Sequence, residues 1–345
     1  MGLRARGHRA VLLAHPAGEL FRRASEGPDL FPLAPKSEID LATAWKLSKI
    51  VRQWRPKIVH AHDPHAVTMA ALALSFGAPD PRPQVIASRR VDFHLQSHAF
   101  SQWKYHQVDG FIAASQAIKD VLVQDRIPSG RIEVVHDGID VEKIRNRPPI
   151  DLHAEYWLPH GVPVVVNVGA LVGHKGQRYL IDAMPLVLRE IPEAHLIIFG
   201  EGDLRPALER QVKHLSLVKR VLLPGFREDV LSLMKTADLF VMSSVTEGLG
   251  SAVLDAMAMG LAVVGTTAGG IPEAVVPDVT GELVEPSDPK LLAAAMVKLL
   301  RDPELRRTYG DAGRRHVAEN FGVDRLVDGT LECYRRFASQ SANSA

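Results

Sequence analysis

Short apolar runs alternate with amphipathic stretches along most of the chain, the pattern of strands alternating with helices over a parallel sheet. The pattern is cleanest after residue 160. VPVVVNVG (162–169) is a buried-strand run that stops at a glycine. GQRYLIDAMPLVLREI (176–191) puts Leu180, Ala183, Met184, Val187 and Leu188 on one helical face, with Pro185 inside it. AHLIIFGEG (194–202) is a second strand with a Gly-rich end, and LRPALERQVKHL (204–215) is a helix whose Pro206 falls in the first turn. RVLLPG (220–225), EDVLSLMKTA (228–237), DLFVMSS (238–244), a helix near 251–259 and LAVVGT (261–266) continue the alternation. These strand runs, each followed by a helix or loop, make a complete nucleotide-binding-type domain. Its order is that of a doubly wound sheet, in which ligands sit outside the carboxyl ends of the strands.

The front half follows the same rhythm less regularly. HRAVLLAHP (8–16), KIVHAHD (57–63), PQVIAS (83–88), DGFIAAS (109–115) and RIEVVHDGID (131–140) read as strands. IDLATAWKLSKIVRQW (39–54), PHAVTMAALALSFG (64–77) and QAIKDVLVQD (116–125) read as helices. NRPPIDLHAEYWLPHG (146–161) is Pro-rich, has no sustained period and reads as a linker. The chain ends in a small polar tail, SQSANSA (339–345). At the front, MGLRARGHRA looks like the end of a helix with Gly7 as its stop, and the strand at 8–16 is the first strand present. A doubly wound domain normally opens on a central strand, a Gly-rich turn and a helix. The expectation is therefore a front domain lacking that unit.

Composition adds a domain count and a compartment. A chain of 345 residues fits two domains of ordinary globular content. The single cysteine, Cys333, allows no intrachain disulfide, and a reducing compartment is the simplest reading. No run of apolar residues is long enough for a membrane-spanning helix, and the first ten residues are too polar for a secretory signal. The charge is uneven. Residues 1–150 hold 21 Lys+Arg against 15 Asp+Glu, whereas residues 151–345 hold 20 against 25. A basic front and an acidic back fit separate domains, the front one meeting something anionic.

The chemistry concentrates in SSVTEGLGSAVLDAMAMGLAVVGTTAGGIPEAV (243–275). A strand ends at Ser243–Ser244, a loop carries Glu247, Gly248, Leu249 and Gly250, and a helix from about Ser251 carries Asp255. Amides at the helix start suit a phosphate. Asp255, just over a turn in, suits two ribose hydroxyls, and Glu247 suits a sugar beyond the phosphates. A second Gly-rich loop, AGGIPE (268–273), follows the next strand. Each acid taken alone reads more readily as a helix-terminus charge; it is the ensemble that points to a ligand. The histidines of VHAHDPH (59–65) raise a metal reading, but their H-x-H-D-x-H spacing is not that of a metallohydrolase and no second cluster matches it. No metal site is therefore expected. No G-x-G-x-x-G opens a helix after a strand, which argues against a nicotinamide oxidoreductase.

The stretch 243–275 resembles the donor-site signature of glycosyltransferase family 4, a retaining, metal-independent family of the GT-B fold. The family pattern is a Glu, seven residues and a second Glu. Here it reads Glu247 and Asp255, so the second acid is one methylene shorter. The resemblance continues through GHKG (173–176), GEGDLR (200–205), GFREDV (225–230), ADLFVMSS (237–244) and TGELVEPSDP (280–289). In the front half it takes in RGHRAVLL (6–13), KIVHAHDPH (57–65), DGFIAASQAIKDVL (109–122) and RIEVVHDGID (131–140). It implies an α/β fold of two Rossmann-like doubly wound domains facing across a cleft, the N-terminal one truncated. The expected divisions are 1–150 for the acceptor side, 151–321 for the donor side, and a last helix from 322 crossing back to the first domain.

Residue by residue, the resemblance makes Lys175 the lysine on the donor diphosphate, with Gly169 nearby. The family's usual arginine after that strand is replaced by Ala170, so charge neutralisation falls to Lys175, the amides at 250–252 and His174 or Arg178. Phe226 and Arg227 fall where the nucleotide base is bordered, although Phe226 is equally readable as core. On the acceptor side, VIASRRVDFH (85–94) offers Arg89, Arg90, Asp92 and His94, with His94 in the place of a family histidine near the reacting centre; His62 and Asp63 follow an adjacent strand. The arginine pair at a strand's carboxyl end suits a phosphate or an anionic acceptor, with solvated surface as the other reading. The implied reaction moves a sugar from a nucleotide diphosphate sugar to a cell-envelope, glycolipid or polysaccharide acceptor with retention, without a metal or other cofactor. The expected place is the cytoplasm, with contact to the inner membrane face, and no nucleic acid is implicated. Two other readings stay open: a GT-B nucleotide-sugar epimerase, and a binding protein whose catalysis is impaired by the missing front unit.

Overall fold

A computed structural model describes residues 2–24, 29–96 and 98–342. The last three residues of the polar tail and Met1 lie outside the described residues. The chain forms two compact units: one holds the residues up to His136 together with those from Val323 on, and the other runs from Asp137 to Gly322.

The first unit contains, in order, α1 (Gly2–Ala5), β1 (Val11–Ala14), α2 (Glu19–Ala24), β2 (Asp29–Pro32), α3 (Leu41–Trp54), β3 (Ile58–Ala61), α4 (Pro64–Ser75), β4 (Gln84–Arg89), α5 (Ala99–His106), β5 (Gly110–Ala113), α6 (Gln116–Gln124) and β6 (Ile132–Val134). β3, β4, β5 and β6 form a parallel sheet in that order, and β1 and β2 form a separate parallel pair. Alternate residues serve opposite faces of the sheet. Val85 and Ala87 of β4 and Phe111 and Ala113 of β5 pack with Val67, Ala70, Ile118 and Leu122 from α4 and α6. Ile86 and Ile112 face the other way. Asp63 and Ser115 cap α4 and α6 by accepting first-turn amides, which fixes both helices at the carboxyl ends of the preceding strands.

The second unit contains α7 (Val141–Arg145), α8 (Leu152–Glu155), β7 (Val164–Val168), α9 (Gln177–Glu190), β8 (His195–Phe199), α10 (Arg205–His214), β9 (Val221–Gly225), α11 (Val230–Met234), β10 (Leu239–Met242), α12 (Ser251–Met259), β11 (Val263–Thr266), α13 (Ile271–Ala274), β12 (Gly281–Val284), α14 (Pro289–Arg301) and α15 (Pro303–Asn320). Its six parallel strands lie in the order β12-β11-β10-β7-β8-β9. The order reverses between β7 and β10, which is the topological switch point of a doubly wound sheet. Val165, Leu196, Ile198, Val241 and Val264 fill one face under α9, α10 and α14. Val164, Val166, Ile197, Phe240 and Val263 fill the other with Leu152 and the apolar side of α12.

The chain then returns to the first unit as α16 (Val323–Ala342). Phe337 and Cys333 cover Ile86 and Ile112. Phe337 lies directly on Gly110, where a Cβ would stand 2.6 Å from its ring.

Three sequence expectations change. Residues 137–150, read as part of the front domain, belong to the second unit: Ile144 is in its core, Ile150 N–H donates to Ser232 O at 3.0 Å, and Lys235 Nζ donates to Arg147 O at 2.6 Å. The strand read over 131–140 is confined to β6, because Ile139 instead donates its amide to Phe321 O at 2.8 Å. The segment 146–161 is no bare linker: it holds α8, whose Leu152 is fully buried. The short elements α2, β2 and α5 carry too little apolar period to be read; α5 buries only Ser101 and Lys104. Among the described residues no helix is long and apolar enough to cross a membrane.

Candidate functional site

The loops after β7 and β10 leave the sheet where the strand order reverses, and they meet. The turn Gly173–Lys175 is closed by Gly176 at φ 64°, and a Cβ there would stand 2.1 Å from Ser243 O. A side chain at 176 would therefore push the two loops apart. Val245 N–H donates to His174 O at 2.7 Å, and Ser243 Oγ donates to Lys175 O at 3.2 Å. This docking brings Lys175 Nζ to 2.6 Å from Glu247 Oε2, and both side chains are largely buried. Ser244 Oγ donates to the same carboxylate oxygen at 2.9 Å. The stem of Lys175 lies over Gly169, 3.7 Å from where its Cβ would be. The next Gly-rich loop closes on the same point: Gly270 N–H donates to Glu247 O at 3.2 Å, and a Cβ on Gly269 would stand 1.8 Å from that oxygen.

No side chain caps the start of α12 beside Glu247; of its first-turn amides, Val253 N–H donates to Gly250 O at 2.9 Å. Gly248, Leu249 and Gly250 are buried under this turn, and Leu249 contributes its side chain to the core. Ser251 is exposed at the helix start. Asp255 is half-buried one turn further, and its carboxyl is pushed up to about 6 by burial, opposed by the charge of Arg147. Ala170 is exposed at the end of β7. Arg178 turns to its neighbour, its guanidinium 4.3 Å from the Tyr179 ring. Past β9, Phe226 is 70% exposed and so is not core. Arg227 is held by Asp229 at 2.8 Å and Glu155 at 2.5 Å, and these carboxylates raise its pKa.

In the first unit His62, Asp63 and Arg89 stand at the carboxyl ends of β3 and β4, whereas His94 is held by Asp125 at the C-terminal end of α6. Asp63 Oδ1 accepts Ala66 N–H at 2.8 Å. His62 stacks on His60 with centroids 4.1 Å apart, and burial, then the charge of Arg90, lowers its pKa. Arg89 donates to Phe93 O. His94 is exposed and sits 2.7 Å from Asp125 Oδ1. His60 itself lies between Tyr334 OH at 2.6 Å and Ser88 Oγ at 2.8 Å.

Sequence reasoning missed Ser244, Arg147 and the pair His60–Tyr334. Ser244 stood at a recognisable strand end, three residues before Glu247. Arg147 lay in a segment read as linker, and Tyr334 reaches His60 only through the return of α16, so neither left a local signal.

A parallel doubly wound unit with a lysine–glutamate pair and an uncapped helix start at its switch point is the arrangement on which proteins of this architecture hold phosphorylated ligands. Two family models match the chain: glycosyltransferase family 4 over residues 1–143, and glycosyl transferases group 1 over residues 151–316. The chain belongs to this family and is a glycosyltransferase with a GT-B fold. It is 27% identical over 296 residues to the N-acetyl-alpha-D-glucosaminyl L-malate synthase of Bacillus anthracis, covering 84% of this chain and 77% of that one. A glycosyltransferase structure from Rickettsia africae superposes with a TM-score of 0.83 at 20% identity, covering 97% of this chain and 92% of that one. The Anabaena protein HepE in complex with UDP superposes with a TM-score of 0.79 at 22% identity, covering 95% and 93%.

Proposed function

We propose that this glycosyltransferase takes its sugar from a nucleotide diphosphate sugar and passes it, with retention, to a cell-envelope, glycolipid or polysaccharide acceptor. The observation that carries this reading is the convergence of Lys175 and Glu247 at 2.6 Å beside the uncapped start of α12. The charge pattern suits a diphosphate followed by a sugar. Lys175 and the amides at 250–252 neutralise the diphosphate as it leaves, an effect aimed at developing charge. Glu247 turns its carboxylate to the hydroxyls of the transferred sugar, Asp255 accepts from the ribose, and Phe226 stands where a base can stack. The anomeric C–O bond breaks, the diphosphate departs with the electron pair, and the acceptor hydroxyl bonds to that carbon from the same face. Its proton passes to the departing phosphate oxygen. Lys175 and the helix amides supply the positive charge, so this scheme calls for no metal. His62, Asp63, Arg89, Arg90 and His94 form the acceptor side, and the cytoplasm supplies the donor.

The test is a panel of nucleotide sugars read first by thermal shift. A donor at 100 times its Kd adds about 2.7 kcal/mol of stability. The donor that binds is then incubated with envelope lipids and polysaccharide fragments, and the anomeric configuration of the product is read by NMR. Lys175→Ala is expected to keep the fold and lower transfer by about 10²-fold or more. A folded Lys175→Ala variant with normal turnover would falsify the assignment.

A further inference from the structure

The outward side of α3 carries chemistry that the transfer site does not use. Leu41 is 55% exposed and Trp45 47%, and Ile39, just before the helix, is 52% exposed. Lys46, Lys49 and Arg52 are exposed on the same side, and Lys49 Nζ stands 3.5 Å from the centre of the Trp45 ring. The opposite side is spent on packing: Ala44, Leu47 and Val51 are buried with Met69 and Ala73 of α4. No acidic residue occurs between Leu41 and Trp54. The two acids just before the helix are already engaged. Asp40 caps it, accepting from Thr43 N at 2.9 Å and Lys36 N at 3.0 Å, and Glu38 pairs with the buried Lys104 at 2.7 Å. Past the helix, Arg55 and Lys57 are exposed as well.

We infer that this face of α3 seats the first unit on an anionic lipid surface. Aliphatic side chains and a tryptophan flanked by lysines match the boundary between headgroups and acyl chains: the ring and the aliphatics enter the boundary while the ammonium groups meet phosphates. A water-soluble polyanion would satisfy the lysines and leave Ile39, Leu41 and Trp45 wet, so the apolar half selects the membrane. The apolar end of the patch is also the end nearest the acceptor-side cluster. Glu38 lies close enough to His65 and His98 for their charges to lower its pKa, after the larger effect of its hydrogen bond to Lys104. A lipid-borne acceptor would thus arrive beside His62 and Arg89. This deepens the proposed envelope acceptor, and the docking itself does not rest on the transfer chemistry.

Full-length protein is sedimented with vesicles of phosphatidylcholine alone and of phosphatidylcholine with phosphatidylglycerol. Binding is expected to the anionic vesicles only, falling with salt. A double variant Lys46→Glu/Lys49→Glu should lower partitioning by about tenfold or more. Leu41→Ser/Trp45→Ser should do the same by removing the apolar insertion. Both variants should keep the donor-induced thermal shift of the parent, which separates loss of docking from loss of the donor site. Trp45→Phe keeps binding but loses the vesicle-induced blue shift of tryptophan emission. Equal binding to neutral vesicles, or unchanged binding by both double variants, overturns the inference. So does a Leu41→Ser/Trp45→Ser variant that still binds the vesicles as it binds dextran sulfate, because the partner would then be a soluble polyanion.

Discussion

Asp255 differs from the family's second glutamate by one methylene, and its setting gives that difference a measurable handle. Burial lifts its carboxyl to about 6. A carboxylate that accepts hydrogen bonds from ribose hydroxyls must be ionised, so donor affinity should fall as pH drops through about 6. Asp255→Asn should weaken donor binding and flatten that dependence; calorimetric titration of the donor between pH 5 and pH 8 reads both. A wild-type profile as flat as the variant's would remove Asp255 from the ribose. The same residue acts on stability in the opposite direction. Its folded pKa lies above the ordinary 3.8, so the folded state holds the extra proton between the two values. Stability from this group is therefore gained on acidification through that window and lost as pH rises through about 6. Ser244 holds Glu247 through the same oxygen that Lys175 meets, and Ser244→Ala should lower kcat more than it raises KM, because the carboxylate loses its aim rather than its charge.

At the scale of elements, the junction of α16 with the β3–β4 edge is the most exposed to test. Burial, then the charges of His62 and Arg90, keeps His60 well below its ordinary 6.5, and burial also lowers His195 at the start of β8. A histidine neutral in the fold is protonated first in the unfolded chain. Stability is therefore full above about 6.5 and is lost as pH falls below it. Urea midpoints at pH 7.5 and 5.5 should differ accordingly, and His60→Phe should shrink the difference. Tyr334→Phe removes the partner of His60 Nδ1 and should cost about 1 kcal/mol. Phe337→Ala opens a cavity over Gly110 and should cost about 3–5 kcal/mol. These elements also mark what a sequence can reveal. In the second unit β7 and β8 are buried, mostly apolar runs that end at Gly169 and Gly200, and the Glu247 loop ends in Gly250, whose φ of 86° a side chain would strain, so both stand out in one dimension. His60 and Tyr334 meet through a chain return, and the charge of Arg147 acts on Asp255 from an irregular segment. Such pairings depend on tertiary closure and leave no period behind. Ile139 shows the same limit: an apolar residue in a strand-like run that bonds to Phe321 instead.

For the whole molecule, the division into two units separates what each ligand should stabilise. Gly169, Lys175, Glu247 and Asp255, the residues proposed to hold the donor, all belong to the unit from Asp137 to Gly322. A bound nucleotide sugar should therefore slow amide exchange in β7, β10 and α12 before it affects β3 or β4, which hydrogen-exchange mass spectrometry resolves segment by segment. Uniform protection of both units by donor alone would show that the donor draws on the first unit too. The basic excess of residues 1–150 lies mainly in the first unit, which also carries the lysine-flanked tryptophan of α3. Salt should accordingly weaken vesicle docking more than donor binding.

The return of α16 sets an order of events during synthesis. The unit from Asp137 to Gly322 is continuous, so it can close as soon as α15 has left the ribosome. The first unit is made earlier but finished later: Ile86 and Ile112 stay uncovered until Phe337 arrives on Gly110. A chain arrested before Val323 should therefore present a folded, protease-resistant second unit behind a first unit with one bare sheet face. Exposed apolar sheet makes that interval the one in which the chain is expected to be most prone to aggregate, and docking of α16 closes it.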